Sequence, residues 1–262
     1  MKATRILTSA LAVLAYTFIL APILVILPAS LADGPAFVFP PRGFTTAWYA
    51  RLIHDPQLGG SLLVSLGIGL AAAAGAVALG AAVALGIERG RIPARGVWLN
   101  LFLGPLVLPL ILTGLAMLMF FSSLGWIGST WGIVIAHIVL TTPYAVRTVL
   151  ASLTAVNPAL EEAAWVHGAE PWYAFRTVVF PQIRPGLVAG GLFAFLVSLD
   201  EYTVTVFLTG PGLVTLPIRI FQYITLHVDP TVSALASAMV IVSAALLIVA
   251  ERKLGIHRYL EL

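Results

Sequence analysis

Glu161-Glu162-Ala163-Ala164-Trp165-Val166-His167-Gly168, followed after nine more residues by Val178-Val179-Phe180-Pro181, is a short water-facing island between two long apolar runs. Its setting decides the fold. The chain is 60% hydrophobic and only 10% charged, with a mean hydropathy of +1.02 over 262 residues, far more apolar surface than a soluble core of that size could bury. A hydrocarbon layer about 30 Å thick takes about 20 mainly apolar residues of helix per crossing. Six stretches qualify: 6–31, 61–87, 97–120, 131–150, 186–208 and 231–250. They are continuous apolar runs without the period-two alternation of barrel strands, and in lipid only helices or closed barrels satisfy every backbone group. The sequence therefore predicts an all-α polytopic membrane protein, residues 1–262 forming one transmembrane domain with six spans.

The first stretch carries Lys2 and Arg5 and ends in Pro28-Ala29-Ser30, as a secretory signal would, but its apolar run is long enough to cross the bilayer and is read as a retained span. Basic residues fix the orientation. Lys2, Arg5, Arg89, Arg91, Arg95, Arg147, Arg176, Arg184, Arg252, Lys253 and Arg258 fall on one side of the six-span arrangement, against Arg42, Arg51 and Arg219 on the other. The positive-inside rule then places both termini in the cytosol. The net charge of +3 is a topology signal; no soluble basic face exists for nucleic acid. Outside lie residues 32–60, with Phe37, Phe39, Phe44, Trp48 and Tyr49 as an expected interfacial belt, and residues 209–230. The long cytosolic loop is 157–181, where a partner would dock.

Local chemistry predicts two short helices there. Asn157 suits an N-cap, Pro158 the first helical position, and Glu161 and Glu162 the first turns, where carboxylates meet the positive end of the helix dipole. Gly168 supplies a stop with positive φ. Pro171 opens a second helix carrying Trp172, Tyr173, Phe175 and Arg176, and Pro181 is expected to close it. A rigid amphipathic knob with exposed aromatics is what a helix-in-groove contact requires.

The spacing Glu-Ala-Ala, three residues, Gly, nine residues, then two apolar positions around one variable residue and a Pro resembles the cytoplasmic coupling motif of ABC-importer permeases. Glu162, Ala163, Ala164, Gly168 and Pro181 match it directly, with Glu161 beside them; Val178 and Phe180 stand where Ile and Leu are usual and stay apolar. The resemblance extends to Gly43-Phe44-Thr45-Thr46-Ala47-Trp48-Tyr49, Ser198-Leu199-Asp200-Glu201, Phe207-Leu208-Thr209-Gly210-Pro211 and Thr215-Leu216-Pro217, which are similar to segments of spermidine and putrescine importer permeases. It implies the type I importer permease fold in a bacterial inner membrane, with a second permease making a heterodimer, two ATP-binding subunits and an external substrate-binding protein. The knob would insert into a cleft of the ATPase, and ATP with Mg would be used by those partners, with no cofactor in this chain. A polyamine is the implied solute; related branches carry amino-acid derivatives, opines or aminophosphonates.

Other function classes find little support. A P-loop needs a lysine at the nucleotide phosphates, and the only lysines are Lys2 and Lys253. An intramembrane serine enzyme would need an activated nucleophile, but no Gly-x-Ser-x-Gly elbow accompanies His137 in span four, which reads as a satisfied interhelical histidine; no catalytic residue is assigned. His54, His137, His167, His227 and His257 are scattered, so no metal site is expected, and the absence of cysteine excludes Cys-ligated metals. A stand-alone secondary transporter would require inverted repeats, and no matching halves are visible.

Asp200 and Glu201 fall within the fifth apolar stretch, where each carboxylate costs on the order of 3 kcal/mol when central and usually faces a wet cavity or a partner helix. Read as one helix, Ser198, Glu201, Thr205 and Thr209 form a polar stripe with Asp200 about 100° aside. Glu201 is the expected pathway residue, with Ser198, Asp200 and Thr205 around it; a structural hydrogen-bonding cluster is the alternative. Gly67, Ala71 and Gly75, the row Ala72, Ala76, Gly80 and Ala84, and Gly186-x-x-x-Gly190 predict close helix approach. Pro105 and Pro109 predict a bend in span three.

Overall fold

A computed structural model describes residues 2–34, 39–90, 92–226 and 229–254. Phe37, Arg91, His227, His257 and Arg258, invoked above, lie outside them. The described residues are mainly helical: α1 Lys2–Ala29, α2 Ala47–His54, α3 Pro56–Arg89, α4 Arg95–Leu103, α5 Leu110–Ser123, α6 Thr130–Thr154, α7 Pro158–Val166, α8 Pro171–Ala174, α9 Phe180–Asp200, α10 Thr205–Leu208, α11 Leu216–Leu226 and α12 Thr231–Leu254. Five helical segments are long and apolar enough to cross a membrane, and six if the bent pair over 95–123 counts as one span. The chain is all-α, as its hydropathy predicts.

Two of the expected spans differ in form. Around 97–120 the helix breaks: α4 gives way to a tight turn at Gly104–Leu106, and α5 leaves it at 97°. Pro105 and Pro109 remove two backbone donors within one turn, and the 14 residues of α5 reach only about 21 Å. In the fifth stretch the helix stops at Asp200 rather than running to 208; Glu201 is extended, at φ −72° and ψ 111°, and α10 is a separate turn. The continuous polar stripe expected through Thr209 is therefore interrupted.

The chain falls into two compact units, Met1–Gly59 with Arg219–Leu246, and Gly60–Ile218 with Leu247–Leu262. In the first, Trp48 Nε1 donates to the Ala32 carbonyl at 2.8 Å, Ser30 Oγ and Tyr49 OH share a hydrogen bond of 2.7 Å, and the Arg51 guanidinium lies 4.8 Å from the Trp48 ring centre. These contacts tie Trp48 and Tyr49 down, while Phe39 and Phe44 are exposed.

In the second unit α6 and α9 form the main helix pair, and small residues set their approach. A Cβ on Gly190 would come within 2.5 Å of Thr148 Oγ1, and one on Gly186 would run into Ser152 Oγ. Ala72, Ala76 and Ala84 are wholly buried, and Gly80 lies against Ala145. Gly75 meets Ile138 whereas Gly67 faces open space, so only part of that first row is a packing seam. With little hydrophobic drive between helices in lipid, such close backbone approach is the chief source of cohesion.

Candidate functional site

The loop over 157–181 is built by its own sequence. Asn157 Oδ1 accepts from Ala159 N at 3.0 Å, Pro158 occupies the first helical position, and Glu161 lies in the first turn of α7. At the other end Ala169 N donates to Ala164 O at 3.0 Å and Gly168 N to Trp165 O at 2.9 Å, a Schellman closure with Gly168 at φ +81°. Only glycine takes that conformation without cost. Beyond it, Ala164, His167, Gly168, Ala169, Glu170 and Tyr173 line a shallow cleft of about 510 Å³. Trp165, Val166, Trp172 and Tyr173 are exposed around it, and exposed apolar patches of that kind are the usual chemistry of contact surfaces.

Pro181 does not close the second helix. The chain passes from α8 through a π-turn at Phe175–Val179 into α9, making one helical rod over Pro171–Asp200. Pro181 has no N–H for the Thr177 carbonyl, and its ring would crowd that group in a regular helix. Widening the turn relieves this: Phe180 N bonds Phe175 O, while the Thr177 hydroxyl donates to Tyr173 O and Gln182 Nε2 to Val178 O, both at 2.7 Å. A widened turn of this kind is a common mark of functional sites.

The two adjacent glutamates part company. Glu162 is exposed, whereas Glu161 turns back to Arg89 at the end of α3, Oε2 to NH2 3.3 Å. Ala163 is exposed and Ala164 partly covered. The Arg89 contact leaves no signature in the sequence, where Arg89 reads only as one of the inward-side cations.

At the other end of the rod, Ser198, Asp200, Glu201 and Thr205 gather at the break in span five. His137 of α6 is 1% exposed and is bonded through both ring nitrogens, Nδ1 to Ser198 Oγ at 2.7 Å and Nε2 to Thr205 Oγ1 at 2.8 Å. Thr205 donates its one hydroxyl proton to the Glu201 carbonyl at 3.0 Å, so Nε2–H donates to Thr205. In the neutral ring Nδ1 then accepts from Ser198. His137 is thus the satisfied interhelical histidine that the sequence suggests, and it staples α9 and α10 to α6 across the break.

Glu201 is buried and folds back on the turn that leads into α10, its Oε1 accepting from Val204 N at 2.7 Å; Asp200 is exposed at the last position of α9. The structural cluster and the exposed carboxylate therefore coexist on neighbouring residues. Among the described residues no three His, Asp or Glu side chains converge to hold a metal ion.

The chain is similar to known proteins. The family described as "Binding-protein-dependent transport system inner membrane component" matches residues 76–255. The putrescine transport system permease protein PotI of Escherichia coli K12 is 32% identical over 86% of this chain and 82% of its own length. The spermidine/putrescine transport system permease protein PotC of the same organism is 27% identical over 90% and 89%. A putative 2-aminoethylphosphonate transport system permease protein, PhnV of Salmonella paratyphi A, is 32% identical over 80% and 79%. Among solved structures, a bacterial alginate ABC transporter in complex with an alginate-bound periplasmic protein aligns with TM-score 0.69 and 14% identity, over 99% of this chain and 96% of that one. That likeness concerns the fold.

Proposed function

The chain belongs to the family of inner-membrane components of binding-protein-dependent transport systems, and from that premise we propose that it forms half of the pathway by which an ABC importer takes up a polyamine such as spermidine or putrescine. It is an ABC-importer permease, a multi-pass protein of the inner membrane and not an enzyme. The similarity to PotI over most of both chains carries the choice of solute.

In this reading both termini face the cytosol, a second permease completes the pore, and an external binding protein delivers the solute. Two ATP-binding subunits bind ATP and Mg, and this chain needs no cofactor. Glu161, Glu162, Ala163, Ala164, Gly168 and Pro181 belong to the coupling region: the exposed face of α7 and the cleft beyond Gly168 receive the ATPase. ATP binding brings the knobs of the two permeases together, and the rod from Pro171 to Asp200 carries that movement to the break in span five. The pore then opens outward to accept solute and inward after hydrolysis.

Asp200 and Glu201 divide the labour at that break. The exposed Asp200 carboxylate offsets part of the water a cationic amine sheds as it enters the low-dielectric wall. Glu201 keeps α10 in place and contributes charge to the same wall, while Ser198 and Thr205 hold the geometry through His137. A second reading, an aminophosphonate solute, draws on the similarity to PhnV. Both are tested in vesicles holding the assembled importer, by comparing binding-protein-dependent ATP hydrolysis with putrescine, spermidine, an opine and 2-aminoethylphosphonate. Stimulation by the two polyamines alone is expected; stimulation by the phosphonate alone would replace the first reading with the second.

A further inference from the structure

We infer that Arg89 is a positioning residue for coupling: by holding Glu161 it fastens the first coupling helix to the cytosolic end of span two, so that movement of the knob reaches α3 directly as well as through the rod into span five. The inference rests on the coupling role proposed for α7.

Three observations converge on this junction. The Arg89 guanidinium ends α3 and the Glu161 carboxylate lies in the first turn of α7, so the pair sets a cation at one helix C-terminus and an anion at another's N-terminus, where both dipoles favour them. Arg89 Nε and NH2 are shut off from solvent and make no hydrogen bond of good geometry, which leaves the carboxylate 3.3 Å away as the charge that compensates them. One helical turn earlier, on the same face of α3, Leu85 packs against the cluster of Leu153, Val156, Val179 and Ile183. That cluster joins the end of α6, the π-turn and the start of α9.

Span two is thus seated on the coupling region by an apolar contact and a charge contact one turn apart. The division between the glutamates follows: Glu161 faces inward to its own chain, and Glu162 remains outward for a partner. The apolar contact keeps α3 in place without the ion pair, but only the ion pair grips α7 itself. Losing it should therefore spare assembly and impair transmission.

The test uses the assembled importer in vesicles, with Arg89→Gln, Arg89→Glu, Glu161→Arg and the exchanged pair Arg89→Glu with Glu161→Arg. Copurification of the ATPase, basal hydrolysis and solute-stimulated hydrolysis are measured on each. Arg89→Gln is expected to keep assembly and basal hydrolysis while stimulation falls about tenfold, which corresponds to about 1.4 kcal/mol of coupling. The exchanged pair should recover most of the stimulation that the two single reversals lose. Wild-type stimulation in Arg89→Gln overturns the inference, and so does an exchanged pair that assembles yet stays as uncoupled as the single reversals. If a single reversal fails to assemble, the exchanged pair still decides: restored assembly and stimulation support the pair, and assembly restored without stimulation reduces it to a packing contact. Glu162→Lys separates this inference from the reading beneath it. Stimulation lost in Glu162→Lys but kept in Arg89→Gln leaves α7 as the coupling helix and rejects Arg89, whereas stimulation kept in both rejects the coupling role of α7 itself.

Discussion

The knob formed around α7 and the break in span five lie at the two ends of one helical rod, and they are held by opposite means. The knob is shaped by neighbours in sequence: Asn157 caps α7 two residues on, and Gly168 ends it through bonds spanning three and five residues. The break is shaped by His137, which reaches partners 61 and 68 residues away. A surface that docks a partner must keep its shape in water, where local caps suffice. A broken helix in lipid has no water to satisfy its polar groups, so another span must supply the partners. Local changes should therefore damage the knob without unfolding the protein, and changes at the break should damage stability first.

The largest effect is expected where the rod meets α6. Gly186→Leu places a side chain into Ser152 and the Thr148 carbonyl, and separating the two helices should cost about 3 kcal/mol or more. Accumulation of the protein in membranes should collapse; wild-type levels with an unchanged melting temperature in detergent would show that α6 and α9 do not pack as described.

His137→Ala comes next. It strands the Ser198 and Thr205 hydroxyls and leaves a void, for a loss of about 2 to 5 kcal/mol. The melting temperature should drop while hydrolysis in the surviving complex remains solute-stimulated. Stability equal to wild type would remove the staple from the account.

Gly168→Val reverses that pattern. Strain at φ +81° of about 1–2 kcal/mol falls on an exposed turn, so the protein should insert and melt normally yet lose solute-stimulated hydrolysis, whereas Gly168→Asn should keep most of it. Equal stimulation in both variants would break the contrast between the two ends of the rod.

Subtler still, Asp200→Asn should lower polyamine uptake several-fold without affecting assembly, and Glu201→Gln, which retains an acceptor for Val204 N, should do less. We propose this order, opposite to the one the polar stripe suggests, because Glu201 is buried with its carboxylate held by Val204 N whereas Asp200 is exposed. A larger loss in Glu201→Gln would restore Glu201 as the residue that meets the solute.

What was legible in the sequence follows the same division. Hydropathy located the apolar stretches, and Asn157, Pro158 and Gly168 announced both ends of α7, because caps and stops act over a few residues. Span five departs from its sequence reading for a physical reason: the apolar residues on either side of Asp200 and Glu201 read as one continuous helix, while the break depends on His137 and on Glu201 folding back to bond Val204 N. Pro181 reads as a terminator because its sequence neighbours give no sign of the π-turn that absorbs it. Arg89 was visible only as a topology signal, since its partner Glu161 is distant in sequence and nothing local links them.

Admission of polyamines by this permease, through a pathway driven at the knob, is tested most directly by uptake of radiolabelled putrescine and spermidine into cells lacking this chain, complemented with wild type or with Gly168→Val. Deletion should abolish uptake of both amines and leave 2-aminoethylphosphonate uptake untouched; wild type should restore it, and Gly168→Val, present in the membrane at normal levels, should not. Undiminished polyamine uptake in the deletion strain, or full restoration by Gly168→Val, would contradict it.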